Sequence, residues 1–596
     1  MRLLILSGCL AFIAACIPVP AAVPGPRSVL LVTIDTTRAD HIGCYGYEWA
    51  KTPVIDSLSA EGVRFAWTFS VAPVTFPAHV SLLTGTIPPY HGVRDNGTHR
   101  AVPELLSLAE VLAAKGFQTA AFTAAFVLDA QFGLDQGFDV YEGTRHKTIS
   151  AAGMVEERSA LEVNRSARRW LDGLAAEQPF FLWVHYFEPH QPYPAADALP
   201  MRFRQRPYDG EIHAADTALG QLLAHLGNIG RREETLVVVT SDHGESLGEH
   251  GEASHSYFAY QGTLHVPLIM AHGSLPRGYT VEQKTSLIDV FPTVLELLHL
   301  PAPVGPPPGR SLAVLFDGRG APDVPTYFES LSPFLNYGWA PIQGVALGDH
   351  KLIAVPRAEL YDWRHDAAES DNLFASEPAL AARLHHELEQ LLSANQAPKR
   401  EHSSERSLTS ADRAALARLG YIGTASARAA EATLEDPKDG IARVHQEERI
   451  RELILAGNLD EGARQLKALL DADPENAIFN AHYGYLLLLR QEPAAGIPYL
   501  KKSLDLGFRT ADNYSNLGLC YLFSGDAPRA RQPFLNALMV DGKHLASHYW
   551  LAKAQAALGQ RQSALAHLDE FLALWHGDSD PMVTEARALQ KQLKQR

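Results

Sequence analysis

The feature that most restricts the fold is a set of short, largely apolar runs without alternation: Val29 to Ile34, Phe180 to Tyr186, Leu236 to Thr240 and Val266 to Met270. Alternation would mark strands with one wet face. Continuous runs rich in Val, Leu and Ile read instead as strands buried on both faces, which in water need helices on either side. One such helix begins near Asp209, with Ile212, Leu219, Leu222 and Leu226 on a single face. Strands alternating with helices predict an α/β fold, a largely parallel central sheet sandwiched by helices, with all four runs taken as parallel strands. In such sheets ligands gather beyond the carboxyl ends of the strands. Two acids stand there: Asp35 after Val-Thr-Ile and Asp242 after Val-Thr-Ser.

The sheet pattern occupies residues 28–400 of the 596-residue chain. Residues 401–435 are polar and Ala-rich and read as a linker with a short helix around Ser410 to Leu419. In 436–596 no strand pattern remains, and glycine recurs with a fixed period. Gly484 and Gly518 are 34 apart, as are Gly525 and Gly559, and Gly457 lies 68 before Gly525. A 34-residue helix-turn-helix period resembles the tetratricopeptide repeat. The resemblance implies an all-α solenoid whose concave surface suits a protein or peptide partner.

The N-terminus reads as an address. Arg2 precedes an apolar run, Leu3 to Ala15. That is too short for a bilayer span, which takes about 20 residues, and fits a secretory signal. Its end, Ile13-Ala14-Ala15-Cys16, resembles the bacterial lipoprotein signal, which implies a signal peptide over 1–16, lipidation of Cys16 and a place in the bacterial cell envelope, periplasmic or at the surface. Residues 17–27 carry four prolines and read as a stiff tether. Cys9, Cys44 and Cys520 are the only other cysteines, so no disulfide framework or Cys-based zinc site is legible. The net charge of −16 argues against a nucleic-acid polymer as partner.

The chemistry concentrates in three segments: Asp35-Thr-Thr-Arg38-Ala-Asp40, Thr75-Phe-Pro-Ala-His79 running on to His91-Gly-Val-Arg-Asp-Asn96, and Ser241-Asp242-His243-Gly-Glu245. Asp35, Asp242 and His243 offer a mixed oxygen and nitrogen set that suits Zn²⁺ or Mn²⁺ and tolerates Mg²⁺ or Ca²⁺. Thr75, before Phe76-Pro77, stands where a helix would start. Its hydroxyl is either a nucleophile activated by a metal or a plain N-cap. Arg38 either grips an anionic oxygen bidentately or neutralises Asp40.

These segments resemble the sulfatase family of the alkaline phosphatase superfamily. Gly137-Phe-Asp-Val-Tyr, His185-Tyr-Phe-Glu-Pro-His190-Gln-Pro-Tyr and His265-Val-Pro-Leu-Ile match in order as well. The resemblance implies a metal at Asp35, Asp242 and His243 with Thr75 on it, and substrate contacts from His190 and His255. The departures are informative. Sulfatases form their nucleophile, formylglycine, from Cys or Ser in Cys/Ser-x-Pro-x-Arg; here Thr75 fills the first slot and His79 the last. Thr75-Phe-Pro-Ala-His79 with His91-Gly-Val-Arg-Asp-Asn96 instead resembles the nucleotide pyrophosphatase/phosphodiesterases, in which the Thr attacks phosphorus and the Asn holds a phosphate oxygen. Their second-metal Asp has no clear counterpart, Glu188-Pro189-His190 standing roughly in its place, so one metal is favoured and a second stays open. The expectation is a hydrolase or transferase of anionic esters, with phosphoesters or phosphodiesters favoured: Thr75 attacks, Asn96 stabilises, and His190 protonates the leaving group. The rivals are a sulfate-ester hydrolase without formylglycine and a repeat-based interaction protein with an inactive α/β domain.

Overall fold

The computed structural model describes residues 24–144, 157–194, 198–303, 309–398, 400, 402, 434–575 and 581–595. Cys16 and the short helix expected around 410–419 lie outside them. The strands are β1 Ser28–Ile34, β2 Val63–Phe69, β3 Gln118–Phe122, β4 Val140–Glu142, β5 Phe180–Tyr186, β6 Thr235–Thr240, β7 His265–Ala271, β8 Tyr279–Val281, β9 Thr285–Ser286, β10 Thr326–Ser330, β11 Ile342–Leu347, β12 His350–Ala354 and β13 Glu359–Asp362. Among the described residues the first nine form one sheet, in the order β4-β3-β5-β1-β6-β7-β2-β8 with β9 against β2. The four apolar runs are strands, and β1, β5 and β6 at the centre are buried along their whole length.

Successive residues of β1 feed opposite cores. Val29 and Leu31 join Phe76, Val80 and Leu83 of the helix Thr75–Thr84 on one face. Leu30, Val32 and Ile34 join Val163, Ile212 and Leu219 of the helices Ala160–Asp172 and Pro207–Asn228 on the other. This two-sided burial is what the lack of alternation encodes.

One run departs from the expectation. Val266 to Met270, in β7, runs antiparallel to both β6 and β2. The reason is local: the chain leaves β6 at the sheet's carboxyl end and re-enters at β7 from that same end, so no crossover is needed. The 241–264 connection therefore stays at the carboxyl edge, where Asp242, His243 and His255 are wanted.

Strands β10 to β13 form a second, antiparallel sheet, which the apolar runs did not announce. The helix Pro378–Ala394 covers it through Ala381, Leu384 and Leu388. From residue 437 onward the described chain is all helix. Pro437–Leu455 pairs with Leu459–Ala472, Ala477–Leu489 with Pro493–Asp505, Ala511–Phe523 with Ala527–Val540, and Leu545–Ala557 with Arg561–Leu574, before a last helix, Pro581–Gln595. The glycine period has two causes. Gly484 and Gly518 sit where helices cross: a Cβ would come within 2.6 Å of Leu500 and 2.7 Å of Phe534. Gly457, Gly525 and Gly559 end helices at φ of 80°, 83° and 72°, which glycine adopts without strain.

The helical array is docked on the α/β part. Ile441 and Val444 pack with Tyr257, Phe258 and Trp339. Arg357 forks onto Asp439 with two 2.8 Å bonds, and Lys438 reaches Glu359 at 3.3 Å.

Candidate active site

The parallel register brings the site residues together. Thr33 of β1 stands opposite His185 on β5 and Thr240 on β6. Asp35 and Asp242, each two residues past that line, are therefore level at the carboxyl edge. Both are fully buried, as is His243. Their ligand atoms lie within 4.8 Å of one another, with His243 Nε2 4.0 Å from Asp35 Oδ1 and 3.4 Å from Asp242 Oδ2.

The hydrogen bonds around this trio leave the right atoms bare. Asp242 Oδ1 accepts from the Thr36 and His243 amides at 3.2 and 2.9 Å. Asp242 Oδ2 and both oxygens of Asp35 have no hydrogen-bond partner among the described residues. His243 Nδ1 donates to the Gly244 carbonyl at 2.9 Å, which leaves Nε2 as the lone-pair nitrogen. Burial, reinforced for Asp242 by the charge of Asp35, pushes both carboxyls above the ordinary aspartate range. Buried carboxylate oxygens left without hydrogen-bond partners cost stability unless a cation takes them up. The donor set thus fits one divalent ion.

Thr75 is the first residue of the helix Thr75–Thr84. Val74 occupies the N-cap position without a side-chain cap, so Thr75 is not the N-cap. Its hydroxyl lies 3.3 Å from His243 Nε2, beside the trio. The first turn is instead held by Asn96, whose Oδ1 accepts from the Phe76 amide at 2.8 Å while its buried Nδ2 has no hydrogen-bond partner among the described residues. His190 and His255 converge on the same place, their rings 5.0 Å apart and His255 4.5 Å from His243. His190 donates from Nδ1 to the Gln191 carbonyl, and burial lowers its pKa to about 4. It is therefore neutral at pH 7, and an anion bound beside it would draw the value back up. His255 Nδ1 lies 3.0 Å from Glu245 Oε1, a carboxyl that burial raises to about 8.

Of the two roles open to Arg38, the structure shows the ion pair. Its Nε and Nη2 fork onto Asp40 at 2.8 Å each, and Nη1 bonds Glu249 at 2.8 Å. Nη1 also donates to the Glu245 carbonyl at 3.1 Å.

Two histidines that sequence reasoning did not place in the site belong to its wall. His79, one helical turn after Thr75, donates from Nδ1 to the Thr75 carbonyl at 2.8 Å and lies 3.6 Å from Asp242 Oδ2. Its Nε2 accepts from Thr33, whose oxygen accepts in turn from Trp183 Nε1 at 3.0 Å. His185 Nε2 lies 3.3 Å from Asp35 Oδ2. Burial lowers these two to about 3 and about 4, so both stay neutral at pH 7. The signals were present: an i, i+4 spacing from Thr75, and a His at the carboxyl end of a buried strand.

Residues 27–300 match the sulfatase family. Human arylsulfatase A is 26% identical over 352 residues, covering 50% of this chain and 69% of its own. Mouse steryl-sulfatase is 25% identical over 399 residues, covering 48% and 64%. Among solved structures, a protein bound to its substrate D-glucosamine-2-N,6-O-disulfate aligns at TM-score 0.54 and 20% identity, over 63% of this chain and all of that one. The phosphonate monoester hydrolase of Agrobacterium radiobacter aligns at 0.53 and 21%, over 62% and 96%. At these identities the structures speak for the fold. The chain is thus similar to the sulfatase family over residues 27–300, just under half of its length, and shares the fold of these solved structures.

Proposed function

We propose that this domain is a metal-dependent ester hydrolase or transferase that uses Thr75 as its nucleophile, with phosphoesters or phosphodiesters as preferred substrates. The observation that carries the reading is the Thr75 hydroxyl, in the first turn of a buried helix and 3.3 Å from His243 Nε2. Thr cannot yield formylglycine as Cys or Ser does in sulfatases, so the oxygen that attacks is an ordinary alkoxide. Asp35, Asp242 and His243 would hold a divalent ion, which when bound lowers the pKa of an adjacent hydroxyl and offsets charge on the ester. Thr75 Oγ1 forms a bond to phosphorus while the bond to the leaving oxygen breaks, and the proton that Thr75 gives up passes to that oxygen. Asn96 Nδ2 donates to an equatorial oxygen. His190 and His255 flank the leaving group and supply hydrogen bonds to it. Water or an acceptor alcohol then attacks phosphorus and returns Thr75 to its free form.

The test is a matrix of divalent ions against nitrophenyl phosphate mono- and diesters, phosphonates and sulfates. Thr75→Ala is expected to lower kcat by about 1,000-fold or more. Wild-type turnover in that variant would end the proposal. A preference for sulfate, the ester named by the curated relatives, would favour the sulfatase reading without formylglycine. No turnover and no bound ion by elemental analysis would favour an interaction protein.

We further propose that the helical hairpins are tetratricopeptide-type repeats presenting a protein or peptide partner surface, and that Cys16 carries a lipid anchor in the bacterial envelope. Labelling with a fatty-acid analogue in wild type but not in Cys16→Ser tests the anchor.

A further inference from the structure

Three loops carry the proposed reacting and substrate-facing groups, and one dipeptide touches all three. Residues 70–74 lead into Thr75, 91–96 carry Asn96, and 252–260 carry His255. At the end of β10, in the second sheet, the Glu329 amide donates to the Val71 carbonyl at 2.9 Å. The Glu329 carboxylate takes the Arg94 guanidinium in a fork, Nε to Oε1 at 2.8 Å and Nη2 to Oε2, two residues before Asn96. The neighbouring Ser330 donates its hydroxyl to the Ser256 carbonyl, next to His255. Successive strand residues point to opposite sides, so adjacent positions can reach different loops.

Each contact is built for position. Glu329 is almost wholly buried and is held further by the Tyr327 hydroxyl at 2.6 Å, itself held by Gln343 of β11 at 3.0 Å. Ser256 sits at φ 91°, a conformation that a non-glycine residue keeps only where its surroundings impose it. None of these groups is a ligand of the metal trio.

We propose that Glu329 and Ser330 are positioning residues that set the spacing of Thr75, Asn96 and His255, so that the second sheet acts as a strut behind the site. The assignment of those three groups rests on the proposed function; the strut itself does not. The 352–362 hairpin of the same sheet carries Glu359 and Arg357, which hold the first helix of the array. A load on the array would therefore reach the strut before the metal trio.

The experiment compares full-length wild type, Ser330→Ala, Ser330→Thr and Glu329→Gln by turnover and by hydrogen-exchange mass spectrometry. Ser330→Ala is expected to lower kcat by about 10- to 100-fold, the effect of a misplacement on the order of 1 Å, with KM little changed. Ser330→Thr, which keeps the donor, is expected to retain most of the rate. Exchange should quicken in peptides over 252–258 for Ser330→Ala and also over 91–98 for Glu329→Gln, while β1 and divalent-ion affinity stay as in wild type. Wild-type exchange in these peptides for both variants would overturn the strut. If wild type turns over no ester, that outcome falls on the function alone, and the exchange comparison still decides the strut.

Discussion

At the scale of single residues, the site is a place where charge is stored at a cost. Glu245 shows the sign of the effect most cleanly. Burial raises its carboxyl to about 8 from an ordinary 4.5. A raised carboxyl binds more protons folded than unfolded, so its contribution to stability falls as pH rises from about 4.5 through about 8. His79, His185 and His190 shift the other way, from 6.5 to about 3, 4 and 4. Their contribution falls as pH drops below 6.5 and is flat above it. Between pH 6.5 and 8, then, the carboxyls alone set the slope. Metal-free protein is expected to lose heat stability across that window, and Glu245→Gln to flatten the loss, as read by Tm against pH. Burial raises the Asp35 and Asp242 carboxyls in the same direction, and a cation relieves them. Saturation at about 100 times Kd is worth about 2.7 kcal/mol, so a divalent ion should raise Tm clearly. Asp35→Asn should raise the metal-free Tm and abolish the ion's effect; a variant that kept the ion-induced rise would remove Asp35 from the ligand set. The ligand trio was legible in the sequence because each member follows a strand. His79 and His185 were not placed because their partners lie far along the chain: register sets His185 beside Thr33, and the packing of the helix Thr75–Thr84 on the sheet sets His79 beside it.

At the scale of elements, the same periods that reveal the fold also reveal its strain. The left-handed helix ends at 457, 525 and 559 leave one member of the 34-residue series, position 491, without glycine. Gln491 nevertheless adopts φ 63° there. A non-glycine residue in that region costs about 1 kcal/mol. Gln491→Gly is therefore expected to stabilise the array by roughly 0.5–1 kcal/mol, net of the entropy glycine adds to the unfolded chain, measurable by urea unfolding of the full protein. No gain would mean that the turn is held by something other than its own backbone. The helix Thr75–Thr84 carries the opposite lesson. Its start was legible from Pro77, but its capping group was not, because Asn96 closes the first turn from twenty residues away. The parallel expectation for Val266 to Met270 failed for a related reason: an apolar run reports burial on two faces, and direction depends on which end of the sheet the connection returns to.

At the scale of the whole molecule, two parts that read as separate in sequence share a packed boundary. Gly440, near the start of the first array helix, lies so close to Trp339 that a Cβ would come within 2.3 Å of the indole. Gly440→Ala is expected to lower stability by about 1–3 kcal/mol through overpacking at that boundary. The expected signature is a separation of the unfolding of the array from that of the α/β domain in a calorimetric scan. A single transition at the wild-type Tm would show the boundary to be looser than its packing. The described α/β part, second sheet and first array helices thus share one hydrophobic cluster, and the site lies at the carboxyl edge of the large sheet. Among the described residues no helix is long and apolar enough to cross a membrane.

The amino-acid sequence by itself determined the class of fold, the repeat period and the placing of Asp35, Asp242 and His243 beyond the strand ends. Each is local information: a strand buried on both faces must be apolar throughout, a helix crossing needs glycine, and ligands cluster where strands end. Tertiary structure alone decided the rest. Which nitrogen of His243 carries the lone pair depends on a carbonyl, the second carboxylate on Arg38 comes from a loop 211 residues further on, and the hold on the loops of Thr75, Asn96 and His255 depends on a strand of another sheet. These are long-range contacts between single polar groups, and such contacts leave no period in the chain.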